Sequence, residues 1–112
     1  MADWTIATLG RAIARREVSP LEVTRECLER IARLDAKIRS FITVDAEGAL
    51  ATARELEAEL AAGLSRGPLH GVPLAYKDLC HILGLPSSCG TATREYFSAE
   101  HECTAVSRLR EA

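Results

Sequence analysis

The chain has 112 residues, 47% hydrophobic and 27% charged, with a formal net charge of −2, a mix that fits one globular domain and argues against disorder. Its 14 basic against 16 acidic side chains leave no surplus for a phosphate backbone, and 4% aromatic residues make no base-stacking surface. No apolar run approaches the ~20 residues of a membrane span, and Met1-Ala2-Asp3-Trp4-Thr5 lacks the basic start of a secretory signal, so a cytoplasmic protein without membrane or direct nucleic-acid partners is expected.

Thr5 can cap a first helix whose apolar positions Ile6, Leu9 and Ile13 share one face. Gly10 weakens it. Ser19-Pro20-Leu21-Glu22 predicts a capping box with proline at the first helical position. Val23, Cys27, Leu28, Ile31 and Leu34 then form the inner stripe of a second helix. Phe41-Ile42-Thr43-Val44 is a short β-prone run. Asp45 can cap a third helix, with Ala46, Ala49, Leu50, Ala53, Leu56 and Leu60 buried and Gly63 as its stop. Its opposite face, Arg54, Glu55 and Glu59, reads as solvated.

At Gly63 the composition changes. Gly67-Pro68, Gly71, Pro73, Gly84, Pro86 and Gly90 punctuate a stretch of loops around one strand, placed at Val72 to Tyr76. A last helix runs from Thr104 to Ala112 with Val106 and Leu109 inward, and it carries no stop signal, the pattern of a truncated chain. This divides the chain into a helical segment, 1–63, and a segment of strand and loops, 64–112. Cys27, Cys80, Cys89 and Cys103 form no Cys-x-x-Cys pair. They are read as plain thiols, not as metal ligands or disulfides. His81 beside Cys80 finds no second ligand cluster, so no metal is expected.

The stretch Gly67-Pro68-Leu69-His70-Gly71-Val72-Pro73-Leu74-Ala75-Tyr76-Lys77-Asp78 delivers a lysine to the end of a nearly all-apolar strand. Lysines are seldom buried unless paired or functional. Burial disfavours the ammonium form, so a lysine held there can act as a base. The alternative is a solvated Lys77–Asp78 pair worth under ~1 kcal/mol.

Gly67 to Pro73, then Lys77-Asp78, Gly84-Leu85-Pro86, Gly90 and the helix ending Arg108-Leu109-Arg110-Glu111-Ala112 closely resemble the amidase signature family of serine hydrolases. The helical first half is similar to the start of these enzymes. The resemblance implies an α/β fold, with helices flanking a mixed β-sheet, of which this chain is the N-terminal portion. It also implies hydrolysis of carboxylic amides through a Ser–cis-Ser–Lys triad, with Lys77 as the base. Both serines belong to a Gly/Ser-rich segment that has no counterpart here, and Ser87 and Ser88 do not match them. Lys77 is therefore the one catalytic residue carried over, and the chain alone is expected to be inactive. His70 is expected to structure its loop, and Asp78 to order the loop or orient Lys77.

The resemblance implies a small-molecule amide substrate and no cofactor. Tyr76 before the lysine points to a general amidase over the glutamine-hydrolysing member of a tRNA-dependent amidotransferase. A non-catalytic helical module that binds a partner is the contrasting reading. A strand without neighbours leaves apolar surface and unpaired backbone, which favours association of the chain with itself as a homo-oligomer.

Overall fold

The computed structural model describes residues 4–92 and 97–112; the first three residues, part of the stretch weighed as a targeting signal, lie outside them. Among the described residues four helices carry most of the regular structure: α1 (Ile6–Ala14), α2 (Pro20–Ile38), α3 (Ala46–Ala61) and α4 (Thr104–Glu111). Two short strands, β1 (Pro86–Ser87) and β2 (Phe97–Ser98), pair antiparallel with Pro86 opposite Ser98. The chain falls into two compact units, one ending at Pro73 and one from Leu74 to Ala112.

In the first unit the predicted caps form. Thr8 N–H donates to the Thr5 hydroxyl at 3.1 Å, and the Thr8 hydroxyl accepts from Thr5 N–H at 2.9 Å. At α2, Glu22 N–H donates to the Ser19 hydroxyl at 3.0 Å and the Glu22 carboxylate accepts from Ser19 N–H at 2.9 Å. Asp45 accepts from Gly48 N–H at 3.0 Å to start α3. Gly63 ends that helix with φ +81°, a left-handed conformation that costs glycine little.

Leu9, Ile13 and Val23 form the core, and Val18, Cys27, Leu60 and Val72 pack against it. Leu60 near the end of α3 thus packs against the core that Val23, near the start of α2, helps to form. Ile13 is fully buried, whereas Ile6, expected in the same stripe, is 60% exposed. Gly10 has a reason to be glycine: a Cβ there would lie 2.2 Å from the Pro68 carbonyl oxygen. The helix gives up propensity so that the 67–70 loop can close on it.

The predicted strand does not form, nor does the β-prone run become one. Phe41 to Val44 has no ladder partner, and the Asp35 carboxylate takes the Ser40 and Phe41 N–H groups at 2.8 and 3.3 Å instead. Val72 to Tyr76 carries no regular structure and pairs with no strand among the described residues. A strand needs a neighbour to satisfy its backbone, and the described residues supply none. Among them the sheet is β1 with β2 alone, supplemented by a parallel bridge between Leu83 and Ala99. In the second unit Val106 of α4 is fully buried and Leu109 is 37% exposed.

Candidate active site

The motif around His70 is a structural joint. Gly67 carbonyl accepts from His70 N–H at 3.1 Å and Leu69 carbonyl from Val72 N–H at 3.0 Å, two successive turns. Gly71 sits at φ +76°, and a Cβ on it would come within 2.6 Å of the Pro20 ring. His70 is 3% exposed. Its Nδ1 accepts from Arg66 N–H at 3.1 Å and its Nε2 lies 2.9 Å from the Leu56 carbonyl oxygen. A carbonyl can only accept, so Nε2 carries the proton. Both ring nitrogens are occupied by backbone, as a loop-structuring role expects. Alongside, Arg66 forks onto Glu59 through two nitrogens. Glu59 lies on the face expected to be solvated; this pairing holds its carboxyl below the usual range.

Lys77 follows the Val72 to Tyr76 segment, and it is exposed. The desolvating strand expected from the sequence is not formed among the described residues, so its apolar neighbours do not enclose the amine. What is fixed is the backbone. Cys80 N–H donates to the Lys77 carbonyl at 2.8 Å, closing a turn over 77–80.

Asp78 anchors that turn to the 88–90 loop. Its carboxylate accepts from Ser88 N–H at 3.1 Å, from Gly90 N–H at 3.0 Å and from the Ser88 hydroxyl. Its carbonyl accepts from Cys89 N–H at 3.3 Å. Cys89 and Gly90 both have positive φ, +52° and +71°. The Ser88 hydroxyl, the two N–H groups and the Lys77 charge together hold the Asp78 carboxyl below its ordinary value. Ser88 is thus a donor to a carboxylate, and Ser87 is buried in β1. The Ser88 and Gly90 partnership was not legible in the sequence, because it joins positions ten and twelve residues apart through loop backbone.

Tyr76, partly buried, has its phenol pushed up by burial, with Arg110 opposing and Glu102 reinforcing. Glu102 and Arg110 form an ion pair. A depression of about 360 Å³ is lined by His81, Ser98, Ala99, Glu100 and His101. Among the described residues no three His, Cys, Asp or Glu side chains are placed to hold a metal ion. No described helix is long and apolar enough to cross a membrane.

A profile of the family described as Amidase matches residues 22–112. The chain belongs to the amidase family. Within it, the chain is 46% identical over 108 residues to the A subunit of a glutamyl-tRNA(Gln) amidotransferase from Acidothermus cellulolyticus, covering 96% of this chain and 21% of that protein. It is 42% identical over 100 residues to the amidase AmiD of Mycobacterium tuberculosis, covering 89% of this chain and 21% of that one. The crystal structure of an amidase superposes with a TM-score of 0.86 at 36% identity, over 97% of this chain and 25% of the other. The chain therefore spans about a fifth to a quarter of the length of these relatives. The match includes the Gly67–Asp78 motif and the helical start alike.

Proposed function

We propose that this chain contributes the lysine base of an amidohydrolase that cleaves carboxylic amides through a Ser–cis-Ser–Lys triad. The reading is supported above all by Lys77-Asp78 standing inside the family-matched span 22–112. In that mechanism the amine of Lys77 takes a proton from the bridging serine, which takes one from the nucleophilic serine. The serine oxygen attacks the amide carbon, the C–N bond breaks, and the amine leaves with a proton. Backbone N–H groups hold the oxyanion. Water then hydrolyses the acyl-enzyme. Both serines would come from a segment that these 112 residues do not contain. The same reading makes Val72 to Tyr76 one member of a mixed β-sheet flanked by helices. It gives the enzyme a small amide as partner, no cofactor, and a place in the cytoplasm.

A second reading is favoured by the 46% identity to a protein of a tRNA amidotransferase. There the amide would be glutamine and the ammonia would pass to a charged tRNA. A chimera separates the two: residues 1–112 replace the matching stretch of AmiD, and ammonia release is followed with simple carboxamides and with glutamine. The first reading expects simple carboxamides to be turned over faster. Preference for glutamine would favour the second, and no lysine-dependent turnover of either would overturn both.

A further inference from the structure

Three of the four cysteines lie in the second unit, and the backbone draws two of them together. Cys103 N–H donates to the His81 carbonyl oxygen at 3.0 Å. His81 directly follows Cys80, and adjacent Cα atoms lie about 3.8 Å apart. One hydrogen bond and one residue thus join the backbone at Cys103 to the backbone at Cys80, and a disulfide accepts Cα spacings of ~4.4–6.8 Å. Both thiols are free and half-buried. Both also bear on one group: after burial, Arg110 and Glu102, the charges of Cys103 and Cys80 act on the Tyr76 phenol. Cys89 is different. It is exposed, and its N–H is committed to the Asp78 carbonyl on the 88–90 loop. Cys27 lies in the first unit, against the helix core.

We propose that Cys80 and Cys103 are a redox pair that closes to a disulfide when a peroxide is the oxidant. The thiolate of one attacks a peroxide oxygen; the O–O bond breaks, a sulfenic acid forms and water leaves. The thiolate of the other attacks the sulfenic sulfur; the S–S bond forms, the S–O bond breaks and hydroxide leaves as water. Two thiols lose two electrons and one peroxide gains them. The bond would tie the turn closed by the Cys80 N–H on the Lys77 carbonyl to the residue that precedes α4. The turn carrying Lys77 would then move only with that helix start. This pairing stands whether or not the amidohydrolase reading holds, and its test reads no activity.

The full 112-residue chain, dilute, is treated with hydrogen peroxide, and remaining thiols are alkylated before digestion without reductant. Trypsin parts Cys103 from Cys80 and Cys89, and chymotrypsin cutting after Leu83 parts those two. The expected result is loss of two of the four free thiols, with the Cys80 and Cys103 peptides joined and released by dithiothreitol. Cys27 and Cys89 should be recovered alkylated, and Cys103→Ser should abolish the intrachain link. A Cys89–Cys103 or Cys80–Cys89 link, links between chains alone, or separate oxidation of each thiol without a bond would overturn the proposal.

Discussion

At the scale of single residues, Asp78 works as an acceptor. Three donors from the 88–90 loop converge on its carboxylate, and all three bonds favour the charged form. The lowered carboxyl sets the sign of the pH dependence. Contacts of a carboxylate whose value falls on folding are fully present above the ordinary value of about 3.9. They are lost as pH falls through the folded value. The amide resonances of Ser88 and Gly90 should therefore titrate with a midpoint below that of an exposed aspartate, and Asp78→Asn should remove the titration. His70 makes a second expectation. His70→Ala leaves the Leu56 carbonyl and the Arg66 N–H without their partner in a partly buried place, which should cost about 1 kcal/mol in denaturant unfolding. The motif announced a loop-structuring role for His70. It did not announce the partners, because both are backbone groups placed by the chain's return onto α3.

Helices were legible because their signals are local. Ser19 and Glu22 are three residues apart and cap α2 without help from elsewhere. Ser19→Ala should lower stability by about 1 kcal/mol, read from the unfolding midpoint. Strands were not legible, since Phe41 to Val44 and Val72 to Tyr76 have the composition of strands but no neighbour to pair with among the described residues. Periodicity reports what a segment can do, and pairing decides whether it does. Gly10 shows the same limit from the other side. Helix propensity says that alanine there should stabilise α1 by up to ~1 kcal/mol. The Pro68 carbonyl 2.2 Å from the added Cβ says the reverse, and backbone yields poorly. Gly10→Ala should lower the melting temperature, by a net cost of about 1–3 kcal/mol.

Over the whole molecule, a family-matched span carries the lysine while the apolar groups around it stay open to solvent. Leu74, Leu79 and Leu83 are 40%, 57% and 59% exposed. The sequence located Lys77 through its motif, but enclosure of the amine is a property of chain packed around it, and the described residues do not provide that packing. The isolated 112-residue chain is accordingly expected to release no ammonia from simple amides or glutamine. The most direct measurement is kcat for amide hydrolysis by the AmiD chimera bearing residues 1–112, with and without Lys77→Ala. A lysine that serves as the base predicts a fall on the order of 10⁴-fold or more with the fold intact. Turnover that survives the substitution nearly unchanged would contradict the account.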